Sequence, residues 1–498
     1  MLLLAPTIAY WPTTFHDFGL RDDYSSLREA HEEPGKILQF CASHARPVYG
    51  WLLQASYGQT SSVQNLHWMR CLAALLLGVI SLVSFRSLRS LGWSFYTSLS
   101  FALLIAVIPS SQVIASWAIG WPYAAAALLA IGGFFAAEGA MTVMRNAAGR
   151  QGMKSRRFGM AQWCVALGLM LVSALIYQPS ALFYLVPMTA ALIARRDLTL
   201  AQAARWTVSH LGLVCLSLVM AYGTMSALYM RGVFEKSDRI AFEQHWVAKI
   251  AWFLAEPLPN ALSLLVLNDD HYRNHALYMG CAGIVGLVLL AGAYLQWQRF
   301  GRTRGMIWLT GLLGLPVFAC AVSLIASERY ATYRTILAMT AVLLCFLVAS
   351  VSALATNLSD RTRKILASLA IAVAFLCAQH HVYALIAVPQ GHEWHLMENG
   401  ARQLRIDRPH RRVFAIASTE ADISTPTVYH DEFGSLSSNS EWVPREMFKR
   451  AMHDLHPNVP NLDARYDFAT GPKLPSGQHY DVIIDMHRLR RFYTEDGF

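Results

Sequence analysis

The chain has 498 residues, of which 55% are hydrophobic and only 15% charged, with a mean hydropathy of +0.33, a balance that excludes an ordinary soluble globule. Its net charge of +9 does not point to nucleic acid, because the basic residues sit in connectors between apolar spans, where membrane orientation and anionic headgroups account for them. Of the eight cysteines, only Cys41 falls in a segment that reads as exposed, and no C-x-x-C pair exists, which excludes a disulfide framework and a zinc or dithiol centre.

Apolar stretches near 1–15, 63–85, 94–109, 121–143, 160–177, 180–194, 206–228, 277–297, 306–325, 335–355 and 365–386 predict about eleven membrane helices. The first begins at Met1 without a basic flank and meets Trp11-Pro12 early. It is read as a retained helix rather than a cleaved signal peptide, which needs a charged leader and a small-residue cleavage site. Alternate connectors are basic: Arg86/Arg89, Arg145/Arg150/Lys154/Arg156/Arg157, Arg195/Arg196/Arg205, Arg299/Arg302/Arg304 and Arg361/Arg363/Lys364. That bias marks cytoplasmic loops, so residues 16–62, residues 229–276 and the tail from Gly391 fall on the outer face.

The outer segments carry apolar residues at helical spacing. Lys36–Phe40, Arg46–Leu53 and Trp246–Leu254 are expected to form helices lying on the membrane surface, with Pro257-Leu258-Pro259-Asn260 as a break. In the tail, Arg412–Ala417 and Tyr480–Asp485 read as strands with a helix across Pro444–His456 between them. The chain therefore divides into a membrane domain over 1–390 and a small extracytoplasmic α/β domain over 391–498. Repeats and Walker or G-x-G-x-x-G motifs are absent, which weighs against an ATP-driven pump.

Several motifs carry candidate chemistry. The acidic pair Asp22-Asp23 in Arg21-Asp22-Asp23-Tyr24 follows the first helix on the face away from cytosolic nucleotides, which suggests a lipid-borne substrate. Arg329 and Arg334 occupy a short outer connector, Ser327–Arg334, where orientation alone predicts few cations. Arg46 and Lys249 lie on the surface helices, as snorkelling cations often do. A second acidic pair, Asp269-Asp270, precedes the eighth helix, while Tyr177-Gln178-Pro179 and Trp121-Pro122-Tyr123 stand at outer helix ends. Glu138 is expected to be a partnered acid within its helix. The i, i+3 histidines His392/His395 and His453/His456 lack a third ligand and do not make a metal site.

Through Arg21-Asp22-Asp23-Tyr24, Ala45-Arg46-Pro47, Pro257-Leu258-Pro259-Asn260 and Glu328-Arg329-Tyr330, the chain resembles the GT-C superfamily of polyprenyl-phosphate-sugar-dependent glycosyltransferases, and within it is similar to the GtrII-like transferases of bacteria. The outer segments hold no N-x-S/T sequon, the one at Asn357-Leu358-Ser359 falling on the cytoplasmic side, which favours a multi-pass protein of the bacterial inner membrane over the endoplasmic reticulum, with its long loops and tail in the periplasm by the arginine alternation. The resemblance implies transfer of a sugar from a polyprenyl-phosphate donor to a glycan, lipid or protein acceptor, with no certain cofactor. Asp22 or Asp23 would take the acceptor hydroxyl's proton, and one of the two could instead orient the acceptor or hold a divalent cation. Arg329, Arg334, Arg46 and Lys249 would bind the donor phosphate. Tyr24, Glu328, Tyr330, Tyr177 and Gln178 would line the substrate cavity. An oligosaccharide polymerase or ligase, for which Arg231, Arg239 and Arg273 are the candidate arginines, and a lipid-linked-sugar transporter are the alternatives, with a membrane scaffold as the bland one.

Overall fold

The computed structural model describes residues 1–147, 153–407, 409–419, 425 and 427–489, with no statement made of the side chains of 145–147 and 153–156. Among these residues, seven helices are long and apolar enough to cross a membrane, and a pair bent by 50°, Phe95–Leu104 and Pro109–Ser116, makes eight if it is one span. The rod His275–Ala319 contains a non-helical residue, Gly301, at φ 81°. A Cβ on Gly305 would stand 2.7 Å from that of Trp297, whereas eight residues of straight helix span about 12 Å. The two arms therefore fold back on each other, as the sequence predicts for separate spans at 277–297 and 306–325.

The chain is thus a helical, multi-pass membrane protein with a small sheet near its C-terminus. The first apolar stretch differs from a continuous span: it forms two five-residue helices, Ala5–Ala9 and Trp11–Phe15, interrupted at Tyr10. Pro12 supplies no amide hydrogen and favours a new helix start there. Most of the basic connector at Arg145, Arg150, Lys154 and Arg156 lies outside the described side chains. Cys41 is buried, while Cys164 and Cys215 are exposed on their helices. The sequence expectation for Cys41 was the reverse, since Cys41 faces the neighbouring helix at Gly50: a Cβ there would approach Cys41 Cβ to 2.7 Å.

Glu138 is a partnered acid. Its carboxylate meets Arg195 Nη2 at 2.5 Å, Trp206 Nε1 at 2.5 Å and His210 Nε2 at 2.9 Å, and Tyr184 Oη lies 2.5 Å from His210 Nδ1. These contacts bind the helix Leu200–Met230, begun by a Thr199/Gln202 capping box, to the helix Trp121–Ala147. Glu138→Ala would leave three donors without their acceptor in an apolar setting. We expect a loss of roughly 2–4 kcal/mol, seen as a lowered melting temperature in detergent, with Glu138→Gln milder.

The first long segment forms the helices Asp22–Glu32, Lys36–Ser43 and Pro47–Gly58, and the second forms Trp246–Ala255 and Pro257–Leu262. Phe40, Trp51, Trp246, Val247, Ile250 and Leu254 are exposed on them, the unpartnered apolar face of an interfacial helix. Pro257 begins the second helix of its pair rather than ending the first, because proline at N1 sacrifices no helical hydrogen bond.

In the tail, strand β1 (Arg411–Ile416) lies between β2 (Tyr466–Gly471) and β3 (Val482–Asp485), all parallel, with Val413 level with both Phe468 and Val482. The expected strands are β1 and β3; β2 is additional. The helix Val443–Leu455 joins the sheet to the first outer segment through Arg28 Nε to Glu446 Oε2 at 2.8 Å. Glu393, fully buried on the helix Val388–Gln403, accepts the backbone N–H of Ser437 at 2.7 Å and of Ser438 at 2.9 Å. Between them the chain turns through Tyr429–Phe433, bridged to itself, and directs this turn at the membrane helices.

Candidate functional site

Asp22 and Asp23 begin one helix, and successive side chains on a helix point about 100° apart, so the two carboxylates enter different surroundings. Asp23 is fully buried, accepting Leu20 N–H at 2.8 Å and the Tyr57 hydroxyl at 2.5 Å. Burial pushes its carboxyl up to about 7, against the pull of those two donors and of Arg70. It closes the turn made by Arg21, whose φ of 37° is left-handed. Asp22 is reached by water yet ringed by protein, and this enclosure raises its carboxyl above the ordinary range; Asp431 adds to the rise, while Arg334, Arg21 and Arg46 oppose it. Exposed and enclosed at once, Asp22 stands in a recess. We expect Asp23→Ala to lower stability by roughly 2–4 kcal/mol by orphaning two buried donors, and thermal unfolding would register this loss whatever the chemistry.

Two cations share the recess. Arg46 precedes Pro47, and its guanidinium sits 5.7 Å from the ring centres of both Tyr49 and Tyr177. Among the described residues no carboxylate lies within ion-pair reach of it. Tyr49, Tyr123 and Tyr177 are stacked, with centroids 5.2 Å and 4.2 Å apart, so Arg46 rests against an aromatic wall. Arg334 lies over the Trp117 ring at 4.7 Å and pairs with Asp431 at 3.3 Å and Glu432 at 3.5 Å. Both acids come from the turn in the tail. Glu432 also accepts the backbone N–H groups of Tyr333 at 2.6 Å and Arg334 at 3.2 Å, fixing the short helix that carries Arg334. Burial pushes Glu432 up to about 7 despite Arg334. Asp431 is held below the usual range: burial would raise it, but Arg334, the Tyr330 hydroxyl at 2.6 Å and Arg21 outweigh that.

The structure thus brings Asp22, Arg46, Arg334, Tyr177 and Tyr330 to one place. The other sequence candidates lie elsewhere. Tyr24 is buried beneath Asp22, its ring stacked on Trp394 and its hydroxyl accepting Gly19 N–H at 3.1 Å. Gln178 donates to the carbonyl of Ala45 at 2.8 Å, bracing the residue before Arg46. Arg329 is turned outward, 3.6 Å from Glu243. Lys249 is buried over Trp252 and donates to the backbone oxygen of exposed Glu328 at 2.7 Å. Asp269 is occupied by His271 N–H at 2.9 Å and Arg273 at 3.2 Å; Asp270 accepts His430 N–H at 2.7 Å and supports the tail turn from outside. Arg231 and Arg239 are exposed. Asp431, Glu432 and Trp117 escaped the sequence reading; the one visible signal was an acidic pair between Tyr429 and Phe433 in a stretch with no element of its own.

A cavity of about 500 Å³ opens beside His16, Asp17, Tyr383, His392 and His395, but it contains none of the recess residues. No group of three or more His, Cys, Asp or Glu side chains among the described residues is arranged to hold a metal ion.

No protein-family model matches the chain, and no curated protein matches it. Among solved structures, it is similar to the Archaeoglobus fulgidus oligosaccharyltransferase tethered through a disulfide to an acceptor peptide containing the NVT sequon, at 13% identity and a TM-score of 0.42, over 91% of this chain and 63% of that one. The chain therefore spans less than two thirds of the length of that structure.

Proposed function

We propose that the chain is a GT-C-type membrane glycosyltransferase that moves a sugar from a polyprenyl-phosphate donor to an acceptor hydroxyl at the outer membrane surface, inverting the anomeric centre by direct displacement. The observation that carries this reading is the meeting of an unpartnered carboxylate, Asp22, with two guanidinium groups, Arg46 and Arg334, in one recess with an aromatic wall. The reaction needs a base for the acceptor proton and fixed positive charge where the leaving phosphate gains negative charge. Asp22 accepts the hydroxyl proton as the acceptor oxygen bonds to the anomeric carbon. The bond from that carbon to the phosphate oxygen breaks, its electron pair leaving with the polyprenyl phosphate, which Arg46 and Arg334 hold. The stacked tyrosines give the sugar a flat apolar surface.

The same proposal gives residues 1–390 to the membrane domain and 391–498 to an extracytoplasmic domain, from which Asp431 and Glu432 enter the recess. It puts the chain in a bacterial inner membrane with the recess facing the periplasm, and the GtrII-like transferases remain the narrower likeness. Purified protein in nanodiscs, supplied with radiolabelled polyprenyl-phosphate sugars and membrane acceptor extract, should release sugar from the lipid. Donor left intact across a panel of such sugars would refute the reading.

A further inference from the structure

At the arginine-rich end of the membrane helices, an apolar groove of about 360 Å³ opens between the helix Leu200–Met230 and the second arm of His275–Ala319, with Leu192 at its base. It runs along Ile307–Phe318, about 16 Å at 1.5 Å per residue, which is half of a hydrocarbon core roughly 30 Å thick. Its open side is lined by Leu200, Ala204, Thr207 and Gly314. The gap persists because the helix Leu200–Met230 is tied by Trp206 and His210 to Glu138 on the other side. At the base, Arg304 is spent on the carbonyls of Leu192, Ile193 and Arg195, which end their own helix there.

Arg196, four residues after Leu192, lies over Phe300 at 4.8 Å and is exposed, while Arg205, about 100° around its helix from Ala204, points away from the groove face and Arg299 donates to Thr356 at 2.9 Å. Among the described residues, none of Arg196, Arg205, Arg299 and Arg302 is ion-paired with a carboxylate. We propose that this groove is a binding site for one anionic phospholipid of the arginine-rich leaflet, its acyl chain between Thr207 and Gly314 and its phosphate at Arg196. The depth matches one leaflet, the lining is apolar throughout the buried part, and the charge at the mouth is complementary to an anionic headgroup. The site is separate from the recess at Asp22 and does not depend on the glycosyltransferase reading.

The test is native mass spectrometry of the full chain in detergent, titrated with phosphatidylglycerol or phosphatidylcholine. One phosphatidylglycerol should be retained with about five-fold preference, as one headgroup cation supplies. Arg196→Ala should remove that preference, and Arg205→Ala, off the groove face, should leave it. Gly314→Phe, at a position where a Cβ meets nothing within 4 Å, should abolish retention, and Ala204→Phe should do the same if that variant does not fold. Equal binding of the two lipids, retention unchanged in the folded groove-filling variants, or displacement of phosphatidylglycerol by polyprenyl phosphate would each overturn the proposal.

Discussion

Asp22→Asn is expected to reduce sugar transfer by about 10²–10⁴-fold, the usual contribution of a positioned base, while leaving the fold intact. The side chain has nothing structural to lose: no hydrogen bond or ion pair of its carboxylate holds another group among the described residues, and asparagine has the same shape. Asp23→Asn is the opposite case, because its carboxylate is filled by Leu20 and Tyr57; its effect should fall on stability, with kcat of the folded fraction near wild type. The pH profile separates base from bystander. Only ionised Asp22 can take a proton, so kcat/KM should rise with pH through a carboxyl value above the ordinary aspartate range, where burial and Asp431 hold it. Asp431→Asn removes one of the charges that raise Asp22, so the acid limb should move to lower pH. A profile indifferent to Asp431→Asn, or transfer that survives Asp22→Asn, would remove Asp22 from the chemistry.

The helices were legible because each membrane span must satisfy its backbone internally and present apolar side chains to lipid, which writes long uninterrupted runs into the sequence. Adjacent identity hid the difference between Asp22 and Asp23, since only the left-handed turn at Arg21 decides which carboxylate faces the core. Arg329 and Arg334 read alike for the same reason, being five residues apart in one connector. Their separation depends on Glu432, almost one hundred positions later, which binds the backbone beneath Arg334. No local pattern announces a contact of that range. Strand β2 was missed because Tyr466-Asp467-Phe468-Ala469-Thr470-Gly471 has two small residues, Ala469 and Gly471, and one charged residue among six and gains its place by pairing with β1.

Loss of Arg334 is expected to cost about 10²–10³-fold in kcat/KM, the range for removing one fixed donor to developing negative charge, and Arg46→Ala roughly 10–100-fold, since a single phosphate retains the other cation. The two losses should not add, because both act on one leaving group. Arg334→Ala also strands Asp431 and Glu432, so Arg334→Lys is the informative partner: charge returns, the ion pairs persist, and the forked geometry is lost. Arg334 is not idle before the donor arrives. Its pairing with Asp431 at 3.3 Å must loosen for a phosphate to take the same guanidinium, so Asp431→Asn should lower the KM for the polyprenyl-phosphate donor. Arg329→Ala and Lys249→Ala, whose side chains engage Glu243 and the Glu328 carbonyl, should leave that KM within about two-fold, as expected for groups outside the contact. Donor titrations of the four variants decide the matter: a KM effect confined to Arg329 and Lys249 would transfer the phosphate site to the outer surface and leave Arg334 a structural anchor for the tail.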